Sequence, residues 1–134
     1  MSPSQREGNQ DRTLQIELKH IERDIVDRLL AKHESEPFWY LPNGEEGVEY
    51  IKTIKEPVTL LQIKSRIATG QYKSPREPFH DLFTLISNGN HFYHPLRNEY
   101  KATVAIEEFI FKQLQKREYN FLLKYPIGEL RKPC

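Results

Sequence analysis

Apolar side chains recur along the chain at spacings of three and four residues, which is the pattern of helices that bury one face. The clearest run predicts a first helix from Thr13 to about Lys32. Its apolar residues are Leu14, Leu18, Ile21, Ile25 and Leu29. No segment shows the period of two that marks a half-buried strand. The pattern therefore predicts an all-α protein.

Capping signals predict the second and third helices. Thr59 can cap a helix that Gly70 ends. Ser74 is the predicted N-cap of the third helix, where Glu77 can close a capping box, and this helix runs to Asn90. The inward-facing residues are Leu60, Ile63 and Ile67 in the second helix and Phe79, Leu82, Phe83 and Ile86 in the third. Each helix thus offers one apolar face to a shared core.

The last helix and the long first loop complete the predicted architecture. The helix begins around Asn98 or Glu99, continues towards Leu123, and carries Thr103, Ile106, Ile110 and Leu114 inward. Residues 33–58 form a loop whose aromatic residues predict packing against the bundle. The residues that forbid regular helix in this loop are Pro37, Pro42, Gly44 and Gly47. Four helices and one long apolar loop make an all-α bundle.

Length and charge narrow the function classes. A chain of 134 residues has room for one domain with a modest core. The net charge of +1 gives no global sign of nucleic-acid or membrane binding, and no stretch approaches the about 18 apolar residues that a membrane span needs. Residues 101–134 carry seven basic and four acidic side chains. A weak DNA contact through Lys112, Lys116 and Arg117 therefore stays open.

The ends of the chain differ from its middle. Residues 1–12 are predicted to be a disordered N-terminal extension, residues 13–124 the folded domain, and residues 125–134 a C-terminal tail at a fragment boundary. The single cysteine is Cys134, so an internal disulfide is impossible.

Residues with catalytic or metal-binding chemistry are sparse. No nucleophile has an adjacent base, no glycine-rich loop could hold a phosphate, and no two carboxylates share a rigid face, so we expect no enzyme. His91 and His94 lie three residues apart and could share a helix face, but they have no nearby cysteines or carboxylates to complete a metal site. We expect neither a metal nor a cofactor.

Three segments, taken in order, resemble the bromodomain family: "EPF" at 36–38, "EYIKTIKEPVTLLQIKSRIATGQY" at 49–72 and "HDLFTLISNGNHFYHP" at 80–95. The middle segment is the most specific, because it keeps the tyrosine, the "IK.P" turn, the second helix and the "G.Y" ending in unbroken register. The resemblance covers roughly residues 13–123. It implies a left-handed four-helix bundle in which the loops after the first helix and before the last helix form a pocket for acetylated lysine.

The resemblance also implies which residues line this pocket. They are Pro37, Phe38, Leu41, Tyr50, Phe92, Tyr93, Glu99 and Tyr100. Tyr50 falls on the tyrosine that typically contacts the ligand carbonyl through a water. Glu99, or Tyr100 if the loop register slips by one, takes the usually apolar position at the pocket entrance. Tyr93 is the largest departure, because it stands where typical members have the asparagine that donates directly to the acetyl carbonyl.

A phenol in place of this amide changes what the pocket can do. An inward ring fills space that the ligand needs, whereas an outward ring leaves the pocket without its direct donor. The sequence therefore predicts an atypical bromodomain, a nuclear, chromatin-associated module that reads acetylated or unmodified histone tails with weak or altered acetyl-lysine binding. The alternative is a structural domain with a vestigial pocket, which docks other subunits of a chromatin complex.

Overall fold

The computed structural model describes residues 3–116 and residue 119, with side chains from Arg12 onwards. Every regular element in this part of the chain is helical, so the predicted all-α bundle is confirmed. In chain order, the elements are α1 (Pro3–Ile21), a π-helical segment (Glu22–Val26), α2 (Asp27–Leu30), a 3₁₀ helix (His33–Phe38), α3 (Gly44–Thr53), α4 (Leu60–Ala68), α5 (Arg76–Phe92) and α6 (Asn98–Leu114).

The first bundle helix is formed by α1, the π-helical segment and α2 without a break. It begins at Pro3, within the stretch predicted as a disordered extension and earlier than the predicted start at Thr13. Proline suits the first turn of a helix, where its missing N–H costs no hydrogen bond, and the polar residues that follow it carry no apolar stripe to reveal the helix. Beside the π-helical segment, the Tyr119 hydroxyl donates to the His20 carbonyl at 3.1 Å. This bond ties the end of the described chain to the first helix.

The loop after the first helix contains regular structure that the sequence analysis excludes. Gly44 begins α3 with a positive φ of 65°, and Gly47 brings the helix so close to Pro42 that a Cβ would lie 2.3 Å from the Pro42 carbonyl oxygen. The acidic residues Glu45 and Glu46 in the first turn complement the helix dipole. The expectation that these glycines forbid helix is therefore wrong, because they permit the tight entry into α3.

Ser35 fixes the start of this loop against the bundle. Its buried hydroxyl donates to the Leu29 carbonyl at 2.5 Å and accepts from the Trp39 indole at 2.8 Å. Phe38 follows and is buried, and Leu41 is half-buried. The predicted packing of the loop aromatics against the helices is confirmed at Phe38 and Trp39, whereas Tyr40 is exposed.

The caps of the other helices agree with the sequence pattern in most respects. Thr59 and Gln62 form a complete capping box at the start of α4. Before α5, the Glu77 carboxylate accepts from the Ser74 amide at 3.2 Å, although the helix begins at Arg76, so Pro75 and not Ser74 is its N-cap residue.

α6 begins at Asn98 as predicted and ends at Leu114, short of the predicted Leu123. Its apolar stripe stops there and the polar run 115–118 follows. Residues 120–123 and the predicted tail 125–134 lie outside the described residues. Among the described helices, none is both long and apolar enough to cross a membrane.

Candidate functional site

Four aromatic rings gather where the loop after the first helix meets the end of α5. Tyr50 packs on Phe92 with ring centroids 4.9 Å apart, and Tyr93 packs on Phe92 at 5.0 Å. Phe38 completes the group with an edge contact to Tyr93 at 6.2 Å. We call these four residues the aromatic cluster. The packing brings together half of the eight residues predicted to line the pocket.

The ring of Tyr93 is directed into the bundle. Tyr93 ends α5 as its C-cap, with extended backbone and its amide donating to the Gly89 carbonyl at 3.0 Å. This turn places the side chain against Phe38 and Tyr50, where only 6% of the residue is exposed. Of the two orientations that the sequence left open, the structure adopts the inward one, and the phenol ring fills space between the two loops.

Arg97 closes the aromatic cluster on its outer side. Its guanidinium carbon lies 5.5 Å from the centre of the Tyr93 ring. The same group pairs with Glu99 at 2.9 Å and with Glu46 at 3.3 Å. Arg97 thus links α3 to the start of α6, and it holds the pKa of the Glu99 carboxyl below its ordinary value. These ion pairs are exposed, so each contributes little to stability.

Asn88 supports the aromatic cluster from beneath. Its amide nitrogen donates to the Glu56 carbonyl at 2.9 Å, and its side chain partly offsets the rise in the pKa of Tyr50. Tyr50 is 3% exposed, and this burial raises its pKa to about 12. Asn88 is not among the residues that the sequence predicts for the pocket. The sequence signal that could have identified Asn88 is its position four residues before Phe92, which puts both side chains on one face of α5.

We expect the protein to lose stability above about pH 10, because Tyr50 ionises more readily in the unfolded chain. Its pKa is raised by burial from 10.0 to about 12. Between these values the unfolded chain has released the Tyr50 proton that the folded protein keeps, so Tyr50 by itself lowers the free energy of unfolding by about 1.4 kcal/mol per pH unit. Urea unfolding at about pH 9 and about pH 11 should show a smaller loss in Tyr50→Phe than in the wild type. Equal losses in the two proteins would contradict this assignment.

The remaining predicted pocket residues lie apart from the aromatic cluster. Pro37, Leu41 and Glu99 line an open groove of about 790 Å³ between the 3₁₀ helix and the start of α6. Tyr100 is half-buried against the core, and its carbonyl accepts from the Thr103 hydroxyl at 2.6 Å. The predicted lining is therefore divided between a filled aromatic cluster and a neighbouring groove.

The sequence also offered two other candidates, a metal site and a DNA contact. His94 Nδ1 accepts from the Leu96 amide at 3.1 Å, and within the described part of the chain no three His, Cys, Asp or Glu side chains gather as metal ligands. Of the basic residues considered for DNA, Lys112 and Lys116 are exposed and Arg117 lies outside the described residues.

Three relatives resemble this chain at low identity. "Bromodomain adjacent to zinc finger domain protein 1A" of Xenopus laevis is 27% identical over 99 residues, which cover 74% of this chain and 16% of that protein. "Histone acetyltransferase GCN5" of Yarrowia lipolytica is 26% identical over 89 residues, 66% of this chain and 19% of that protein. "Tyrosine-protein kinase BAZ1B" of Danio rerio is 25% identical over 101 residues, 75% of this chain and 6% of that protein. The chain spans less than a fifth of the length of each relative.

A family model also matches this chain. Residues 22–105, more than half of the chain, match the sequence model of the bromodomain. This range extends from the π-helical segment to the first half of α6 and includes all four residues of the aromatic cluster. Together with the all-helical bundle, this match shows that the chain belongs to the bromodomain family.

Proposed function

We propose that this bromodomain is a nuclear, chromatin-associated module that reads histone tails and binds acetylated lysine weakly. The family itself is a reader of acetyl-lysine and not a catalytic domain. The finer statement, weak binding, rests on one observation. Tyr93, at the position that the family register gives to the amide donor, is buried in the aromatic cluster.

The inward Tyr93 ring weakens binding in two ways. It occupies space beside Tyr50 and Phe38 that the acetyl-lysine methylenes need. It also replaces an amide donor with a single hydroxyl at a different reach, and losing one hydrogen bond to the ligand carbonyl costs on the order of 1 kcal/mol or more. Binding therefore requires the ring to move or the ligand to enter less deeply.

The names of the relatives support the assignment to chromatin. One relative is named a histone acetyltransferase, and the name of another contains the word bromodomain. The activities in these names belong to those proteins. This likeness supports a histone tail as the proposed partner and the nucleus as the proposed location.

A second candidate function, a docking domain with a vestigial pocket, is favoured by the closure of the aromatic cluster. Arg97 covers Tyr93 and joins Glu46 to Glu99 across it. A ligand must break these contacts before it reaches Tyr50. If that cost exceeds the gain from binding, the domain serves only as a surface for other subunits of a chromatin complex.

A titration followed by amide NMR shifts separates these functions. The probe is a multiply acetylated histone H4 tail peptide, and the control is the same peptide without acetyl groups. We expect millimolar binding, with the largest shifts at Tyr50, Asn88 and Tyr93. Micromolar or tighter binding would contradict weak reading. No acetyl-dependent shift at saturating peptide would leave only the docking function.

A further inference from the structure

A second groove lies at the far end of the bundle from the aromatic cluster. It has a volume of about 650 Å³ and runs between α1 and the segment that ends α4. α5 begins at Arg76, just after this segment, and ends at Phe92 in the aromatic cluster. At a rise of about 1.5 Å per residue, its length separates the two sites by roughly 25 Å. We call this second site the α1–α4 groove.

The α1–α4 groove combines an apolar floor with a basic rim. Its apolar lining residues are Leu14, Ile16, Leu18, Ile67, Ala68 and Tyr72. Ile16 is 54% exposed, which leaves a large aliphatic side chain open to contact. Arg12, Lys19 and Lys73 supply positive charge, and none of the described residues that line the groove is acidic. Its chemistry thus differs from that of the first groove, which Glu34, Glu36 and Glu99 line.

The far wall of the α1–α4 groove is held rigidly. The Tyr72 hydroxyl donates to the Asp81 carboxylate at 2.6 Å, and Arg66 pairs with the same oxygen at 2.8 Å. Gly70 closes α4 with a positive φ of 69°, which sets the path of the chain towards Lys73. A ligand therefore meets a preformed wall, and the protein loses little conformational entropy on binding.

We propose that the α1–α4 groove binds an acidic segment of a partner protein that carries apolar side chains between its carboxylates. The apolar side chains would rest on Ile16 and Tyr72, and the carboxylates would pair with Arg12, Lys19 and Lys73. Lys19 already pairs with Glu22 at 3.3 Å. The Lys19 side chain is 68% exposed and can turn to a partner carboxylate, while Glu22, which is 13% exposed, keeps its contact with Lys64 at 3.8 Å.

The apolar floor favours a peptide over a nucleic acid. A phosphate backbone gains its affinity from positive charge alone and would leave Ile16 without an apolar partner. An acidic peptide with aliphatic side chains satisfies the floor and the rim together. This proposal does not depend on acetyl-lysine binding, because the groove shares no residue with the aromatic cluster.

The test uses the full chain and a synthetic peptide in which leucines alternate with pairs of glutamates. A second peptide replaces every leucine with serine at the same charge. We expect the leucine peptide to shift the amides of residues 12–20 and 67–73 and to leave those of the aromatic cluster unchanged. The serine peptide should bind about tenfold more weakly, because it buries no apolar surface.

Matched variants test the two parts of the groove. Ile16→Asp should lower the affinity for the leucine peptide about tenfold or more, and Ile16→Ser should also lower this affinity. Ile51→Asp is the control, since Ile51 is also 54% exposed but lies on α3 outside the groove. Lys73→Glu should weaken binding several-fold, with Lys52→Glu on α3 as its control.

Three results would overturn the proposal. Equal binding of the leucine and serine peptides would mean charge attraction without a groove. Tighter binding of a duplex DNA at the same amides would assign the surface to nucleic acid. The third result concerns the peptide-free protein. If a spin label on Cys134 broadens the NMR signals of the groove amides there, the chain's own C-terminus occupies the site.

Discussion

Replacing Tyr93 with asparagine is expected to raise the affinity for an acetylated histone peptide about tenfold. The substitution restores the amide donor that the family register places here and removes the ring that packs on Phe38 and Tyr50. One recovered hydrogen bond to a largely buried carbonyl is worth about 1 to 2 kcal/mol. Calorimetry or the NMR titration with the acetylated H4 tail peptide measures the gain against the wild type.

The same substitution is expected to lower the free energy of unfolding by about 2 to 4 kcal/mol, because it removes a large buried side chain. Tyr93 is only 6% exposed and contacts three other rings, so the loss extends over the whole aromatic cluster. Urea unfolding measures it. Stronger binding by a less stable protein would indicate that the ring stabilises the fold at the expense of the ligand site.

Tyr93→Phe is the matched control for both effects. It keeps the ring and its contacts, so its stability should stay within about 1 kcal/mol of the wild type. It supplies no amide donor, so its affinity for the peptide should not rise. If a well-folded Tyr93→Asn variant binds no better than Tyr93→Phe, then another feature weakens the site. The pairing of Arg97 with Glu46 and Glu99 over the ring would be the next to remove.

The helices follow from the sequence because each rule that predicts them is local. Residues such as Ile25 and Ile63 repeat with the helical period, and Thr59 precedes its helix with the side chain that caps it. The same rules do not predict α3, since a glycine usually weakens a helix. There, Gly44 needs its positive φ, and Gly47 lacks room for a Cβ beside Pro42. Only the three-dimensional path of the chain reveals both requirements.

The site is predictable only as far as family register reaches. The register brings Tyr50 and Tyr93 to one place, and the structure packs their rings 6.5 Å apart. It does not give the direction of the Tyr93 ring, which depends on the C-cap geometry. Nor does it give the Arg97–Glu46 pair, which joins side chains 51 positions apart. Contacts of this kind depend on how two loops approach each other, and no local sequence pattern encodes that approach.

Replacing Gly89 with alanine is expected to destabilise the fold by about 1 to 3 kcal/mol, although alanine normally stabilises a helix by about 1 kcal/mol relative to glycine. A Cβ at Gly89 would lie 2.5 Å from Thr103 Cγ2 and 3.0 Å from the Phe38 ring. Thr103 cannot easily move, because its one hydroxyl proton is shared between the Asn90 side chain and the Tyr100 carbonyl, both within hydrogen-bond distance. Urea unfolding should therefore show a change of the opposite sign to that of a typical helical glycine.

Ser87→Ala, at an exposed position of the same helix, controls for helix propensity and should change stability by less than about 0.5 kcal/mol. Thr103→Ser deletes the clashing methyl and keeps the hydroxyl, so in the double variant it should recover part of the loss. A double-mutant cycle measures this coupling, which should exceed about 0.5 kcal/mol for residues in contact. A stabilising Gly89→Ala, or additive effects in the cycle, would contradict the close approach of α5 and α6. If the coupling is found, Gly89 fixes the place of Phe38, because the ring packs where any larger residue would stand, and Phe38 in turn supports the Tyr93 ring.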